Sequence, residues 1–125
     1  PAITDPAVLP RIPLISAVTL AELSVGPLAT DDPAERARRQ ERLQQAEADF
    51  DPLPFDAAAA RAFGRVAQAH RAAGRTTRAR AYDAMIAAIA VANGMAVHTA
   101  KPRDFEGIPG LDVVDVRPGI GLPPA

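Results

Sequence analysis

Apolar and polar positions along this chain follow helical stripes separated by short apolar runs. The clearest stripe runs up to Gly94: Ile86, Ile89, Ala90 and Asn93 recur at i, i+3, i+4 and i+7, and the glycine stands where a helix ends on a left-handed residue. Asp83 lies on that stripe, three residues before Ile86, which turns its carboxylate toward the protein rather than toward water. A charge so placed is costly to bury unless something compensates it, and a metal ion is one such partner. Met95 to Thr99 follows as a short strand. Asp104 stands just past its end, at the edge where α/β sheets bind ligands. Two acids converging on one edge suggest a site for a hard cation.

The first 13 residues carry four prolines and predict a loop. Leu14 to Val18 predicts a buried strand, and Thr19 opens a helix to about Pro27, with Thr19-Leu20-Ala21-Glu22 fitting the capping-box pattern. Asp32-Pro33 begins a second helix, to about Ala48, thick with Arg, Glu and Gln, in which Leu43 and Ala46 are among the few packing positions. Phe50 to Phe55 is broken by proline and reads as a brief edge strand. Asp56 caps an alanine-rich helix to about Ala73, with Phe63, Val66 and Ala67 on its apolar face and Gly74 as its stop. Arg75 to Arg80 is a basic linker, Asp104 to Gly107 a short helical turn, and Leu111 to Val116 a last strand. The Pro- and Gly-rich stretch from Arg117 to Ala125 predicts a disordered or surface-draped tail. Strands alternate with helices, so the fold class is α/β with a small, mostly parallel sheet of three or four strands. Neither a repeat nor a coiled-coil heptad is present.

A length of 125 residues fits one domain, residues 1–125. With 48% hydrophobic residues, 23% charged residues and a formal charge of −1, the chain is unlike a protein that coats nucleic acid through overall basicity. It has no cysteine, which removes disulfides, thiolate metal ligands and a cysteine nucleophile. No apolar run approaches the ~20 residues that cross a bilayer, and no signal peptide opens the chain, so a soluble cytoplasmic protein without a membrane partner is expected. Alanine and arginine abound while Lys101 is the only lysine, a usage typical of a GC-rich bacterial genome. The chain begins at Pro1 rather than methionine, as expected if the natural protein starts further upstream.

Each acid has a structural and a functional reading. Glu22 occupies the third position of the capping box, which helix chemistry alone explains; yet Val18, Glu22 and Val25 are spaced i, i+4, i+7, on a half-buried face. Asp83 suits a helix N-terminus through the macrodipole, and Asp104 suits the N-cap of the turn after it. Asp31, Asp32, Glu35, Glu41 and Glu47 belong to a solvated helix, and Asp56 is a cap. Arg71, Arg75, Arg78 and Arg80 precede Asp83 within a short span, either as a solvated face or as a phosphate-binding group. His70 and His98 lack ligand-pair spacing, which argues against zinc. Neither a glycine-rich phosphate loop nor a Gly-x-Ser-x-Gly elbow occurs.

Taken in order, the segments Ile15 to Gly26, Leu53 to Asp56, Tyr82 to Ala90 and Val97 to Phe105 resemble a PIN-domain ribonuclease of the VapC toxin type. Each piece alone is weak; their order and spacing across about residues 14 to 116 make the match specific. The resemblance implies a three-layer α/β/α domain and a toxin that cuts RNA with Mg²⁺ or Mn²⁺ held by clustered acids. It also implies a cognate VapB-like antitoxin and a homodimer. Carried over by position, Glu22, Asp83 and Asp104 match three members of that cluster, and Arg75, Arg78, Arg80 and Lys101 are candidates for contacting RNA phosphates.

Two departures qualify the match. Members of this family begin with a strand bearing an aspartate that is a principal ligand; no residue before Leu14 supplies it, since Asp5 precedes a proline, and the first strand is therefore expected to be missing. Lys101 stands where many relatives carry Asn or Asp, and an ammonium there either displaces a metal or binds a phosphate. A rival reading is a catalytically inactive PIN-like module that keeps the antitoxin- and self-association surfaces. A third is an unrelated small α/β domain whose acids are caps.

Overall fold

The computed structural model describes residues 2–4, 14–76 and 80–116. The chain order is β1 (Ala2–Thr4), β2 (Leu14–Ile15), α1 (Ala17–Val25), a 3-10 turn (Gly26–Ala29), α2 (Pro33–Asp49), α3 (Ala57–Ala72), α4 (Ala81–Asn93), β3 (Ala96–Thr99), a second 3-10 turn (Pro102–Phe105) and β4 (Val113–Asp115). The four strands are ordered β2-β1-β3-β4. β1 is antiparallel to both neighbours, and β3 and β4 are parallel. β2, β3 and β4 therefore run the same way, and the sheet is mostly parallel with one reversed strand. Leu53 adds a parallel bridge beside Ser16, its N–H donating to the Ile15 carbonyl at 2.9 Å and its carbonyl accepting from Ala17 at 2.8 Å.

Two sequence expectations need correction. Ala2–Thr4, expected within a loop, forms a strand in the middle of the sheet. Ile3 is fully buried there, between Leu14 on one side and Val97 on the other. β2 and β3 each present backbone donors and acceptors to the gap between them, and a short β-branched segment satisfies both rows at once. The remainder of the expected loop (residues 5–13) and of the tail (residues 117–125) lies outside the described residues.

The first helix also begins three residues earlier than the capping box implied. Ser16 is its N-cap, accepting the Thr19 N–H on Oγ at 3.0 Å, and the two hydroxyls are 3.0 Å apart. A serine with a threonine three residues on competes for the role assigned to Thr19, and the bridge to Leu53 ends the strand at that point.

The other helices follow their local signals. Asp32 caps α2 by accepting from Ala34, and Asp56 caps α3 by accepting from Ala59. α4 ends where Gly94 turns left-handed at φ 64°, letting the Met95 N–H reach the Ala90 carbonyl at 2.9 Å. Glu35, Arg38 and Arg39 form ion pairs on α2, while Arg36 and Arg39 donate to the carbonyls of Pro27, Thr30 and Gly26, fastening the first 3-10 turn to that helix.

α4 is the spine of the core. Ala84 and every residue from Ile86 to Ala90 are fully buried, so the helix is apolar nearly all round. α3 packs on it through Ala59, Ala62, Val66 and His70, a stripe of mostly small side chains. Ile3 and Val97 of the sheet and Phe105 of the second turn complete the cluster.

Ile86→Ala is expected to cost about 2–5 kcal/mol in urea unfolding, because it opens a cavity in a fully packed site. Gly94→Ala should cost only about 1 kcal/mol, since the space around it is open and only the left-handed backbone is penalised. A larger loss from the glycine variant than from the core variant would contradict this picture.

Candidate functional site

Because β2 and β3 run the same way, their C-terminal ends share one edge of the sheet. α1 starts at that edge. α4 runs back toward the start of β3, which leaves its own first turn, and Asp83, at the same edge. The turn after β3 is built from Thr99, whose Oγ1 accepts the Lys101 N–H at 3.0 Å, and from the buried Phe105, which anchors the segment beside Asp104.

Asp83 lies within electrostatic reach of the other two sequence-predicted acids, Asp104 and Glu22. Burial is the largest cause raising the Asp83 carboxyl pKa above 3.8, followed by the charge of Asp104. Glu22 is raised above 4.5 by burial and then by Asp83. Glu22 is nevertheless an exposed residue rather than a half-buried one, and with α1 starting at Ala17 it lies in the second turn. The capping explanation for Glu22 is therefore gone. Asp104 likewise is not an N-cap: Lys101 holds that position in its turn.

Arg80 occupies the space between two of the acids. Its Nη1 donates to Asp104 Oδ1 at 2.5 Å and stands 3.9 Å from Asp83 Oδ2. Among the described residues, no three acidic or imidazole side chains stand close enough to hold a metal ion together. The donor set still suits a hard cation: all three groups are carboxylates, Asp83 is pushed toward protonation by burial and by Asp104, Glu22 by burial and by Asp83, and a cationic side chain already answers the charge of Asp83 and Asp104.

Among the described residues, the other predicted cations form no ion pair with these acids. Arg75 donates to the Glu106 carbonyl at 3.0 Å, tying the end of α3 to the turn beyond Asp104. Lys101 is exposed, and Arg78 lies outside the described residues. His70, dismissed above as a zinc ligand, proves to be 1% exposed with no hydrogen-bond partner for either ring nitrogen among the described residues. Burial, then Arg75 and Arg80, hold its pKa below 6.5, while Asp83 opposes them. Its place on the Ala59-Ala62-Val66 stripe was legible in the spacing. The i, i+3 relation of Arg80 to Asp83 was legible too, but not the pairing with Asp104.

The chain belongs to the PIN-domain family, whose model matches residues 7–110. It is 36% identical over 102 residues to ribonuclease VapC4 of Mycobacterium tuberculosis, covering 82% of this chain and 75% of that protein. It is 37% identical over 112 residues to ribonuclease VapC5 of the same organism, covering 90% and 80%. Its fold matches a crystal structure of VapBC-5, a member of the VapBC family of toxin–antitoxin systems from that organism, with a TM-score of 0.73 and 33% identity over 82% of this chain and 81% of that one. Among the described residues no helix is long and apolar enough to cross a membrane.

The raised pKa of Asp83 has a thermodynamic consequence. The folded state holds this proton more tightly than the unfolded state does, so the favourable contribution is complete below pH 3.8 and is lost as pH rises through the folded-state pKa. Ionised Asp83 thus opposes folding at pH 7. Asp83→Asn should raise the metal-free melting temperature at pH 7, by an amount that shrinks as pH falls toward 3.8. Calorimetric melts across that range check it, and a lower melting temperature at pH 7 would mean that the Arg80 pairing outweighs burial.

Proposed function

We propose that this chain is a VapC-type toxin, a metal-dependent endoribonuclease of one PIN-like domain that hydrolyses RNA phosphodiester bonds in the cytoplasm and is neutralised by a VapB-like antitoxin. The observation that supports this reading is the approach of Asp83 on α4 and Asp104 on the turn after β3, both within reach of the Arg80 guanidinium, with Glu22 close enough to Asp83 to raise its own carboxyl pKa. Membership of the PIN-domain family and the likeness to ribonucleases VapC4 and VapC5 support it.

Glu22, Asp83 and Asp104 would hold Mg²⁺ or Mn²⁺, which when bound supplies Lewis acidity toward a phosphodiester oxygen and lowers the pKa of a ligated water. Asp83 provides a carboxylate on the rigid, buried α4, so its position is set by the core. Asp104 comes from a turn held by Thr99, Phe105 and Arg75, which limits its freedom to rotate away. Glu22 adds negative charge from the exposed side, where substrate and water arrive. Arg80 and Lys101 supply positive charge for RNA phosphates at this edge, and Arg75 and Arg78 belong to the same basic stretch.

Asp83→Asn is expected to lower Mg²⁺-dependent RNA cleavage by about a hundredfold, equivalent to about 2.7 kcal/mol of transition-state stabilisation. The assay needs antitoxin-free protein and an EDTA control. A second reading, a PIN module without catalysis that acts by binding, is favoured by the absence among the described residues of a ready three-acid cage and by Arg80 between two of the acids. Cleavage that is absent in the parent chain and unaltered by metal would select it.

The apolar surface available to a partner includes Val25 and Leu28, three residues apart and 56% and 84% exposed. Leu28→Asp should weaken antitoxin binding by about tenfold or more without altering the melting temperature, measured by titration calorimetry. Unchanged affinity would place the antitoxin elsewhere. Self-association to a homodimer is part of the same reading, and a monomer by sedimentation at micromolar concentration would remove it.

A further inference from the structure

Arg80 is not an ordinary surface cation. It is the residue immediately before α4, its carbonyl accepts the Ala84 N–H at 2.8 Å, and its side chain therefore springs from a fixed point. From there the guanidinium reaches Asp104, twenty-four residues away in sequence, and also stands beside Asp83. Its side chain is 37% exposed against 28% for Asp83 and 24% for Asp104, so the cation is the most solvent-facing member of the trio. The other charged or titratable groups coupled to this cluster include, among the described residues, His70 at the end of α3, Arg75 just beyond it and Glu22 from α1. His70 offers it no hydrogen bond, and Arg75 is turned to the Glu106 carbonyl.

We propose that Arg80 is a tethered cation that takes the place of the divalent ion between Asp83 and Asp104, and that its release on metal uptake turns it to the RNA backbone. The inference rests on the reading that these two acids hold the ion. The guanidinium and a divalent cation repel each other and compete for the lone pairs of the same two carboxylates, so occupation by one weakens the hold on the other. The guanidinium fork matches a phosphate as well as a carboxylate, so Arg80 exchanges one anionic partner for another at little loss. Metal and RNA then strengthen each other's binding, and by linkage the coupling is the same in both directions. This replaces Lys101 with Arg80 as the side chain that displaces a metal.

The test is Mn²⁺ titration calorimetry on the parent chain, Arg80→Gln, Arg80→Lys, Asp83→Asn and Asp104→Asn. Alongside it, fluorescence anisotropy follows a single-stranded 2′-deoxy oligonucleotide with and without Mn²⁺. Arg80→Gln should bind Mn²⁺ about tenfold more tightly, while Arg80→Lys, which keeps the charge, should stay close to the parent. Oligonucleotide affinity should rise with Mn²⁺ in the parent chain and be both weaker and insensitive to Mn²⁺ in Arg80→Gln. In the unaltered protein, the Arg80 Nε–H resonance should shift on Mg²⁺ titration. A stationary resonance at saturating Mg²⁺ overturns the inference without relying on any variant. Unchanged or weaker Mn²⁺ binding by Arg80→Gln, with Asp83→Asn still impaired, overturns it and leaves the metal reading standing. Mn²⁺ binding that neither aspartate variant weakens overturns both.

Discussion

The burial of α4 on nearly every side is the constraint from which the rest of the molecule follows. A helix whose residues from Ile86 to Ala90 are all inaccessible must have a neighbour in each direction. α3 approaches on one side through Ala59, Ala62 and Val66, whose small side chains permit close contact. The short sheet and Phe105 cover much of the remainder. Burial of Ile86 and Ile89 contributes about 1.5–3 kcal/mol each, which matters in a chain with few large aromatic residues. Since α4 cannot move without disturbing both helix and sheet, the residue at its first turn, Asp83, has a position dictated by the core.

That rigidity places a charge where water is scarce. Asp83 and Glu22 are both pushed toward protonation by burial and by other carboxylates, and His70 lies buried nearby without a hydrogen-bond partner among the described residues. Desolvation of these three polar groups opposes stability. Perturbed groups of this kind cluster where a binding or catalytic task requires them, although structural ion pairs produce them as well. Arg80 partly offsets that cost without removing it, since the Asp83 carboxyl stays raised beside the guanidinium.

The elements around the site divide into rigid and adjustable parts. Asp104 is carried by a turn fixed through Thr99, Phe105 and the Arg75 contact to Glu106, so its backbone is held from both ends. Arg80 and Glu22 are the more exposed members and the ones with room to turn. A fixed pair of acids with a movable cation is suited to exchanging one positive partner for another.

Local chemistry in the sequence determined α2, α3 and α4. Asp32 and Asp56 announce their helix starts, Gly94 announces a stop, and the stripe through Ile86 and Ile89 identifies the buried face and places Asp83 on it. Such signals are legible because capping and periodicity act within one or two turns of chain. The PIN-type resemblance was legible in a different way, through the order and spacing of whole segments, and family membership is what it established. Tertiary structure alone decided the central strand Ala2–Thr4, whose three residues form a strand only because two other strands leave a gap between them. It also decided the start of α1, where the bridge between Ser16 and Leu53 ends β2 and gives the cap to Ser16. The pairing of Arg80 with Asp104 belongs to the same category: two residues far apart in sequence meet only because α4 and β3 deliver them to one edge, and no local pattern records that meeting.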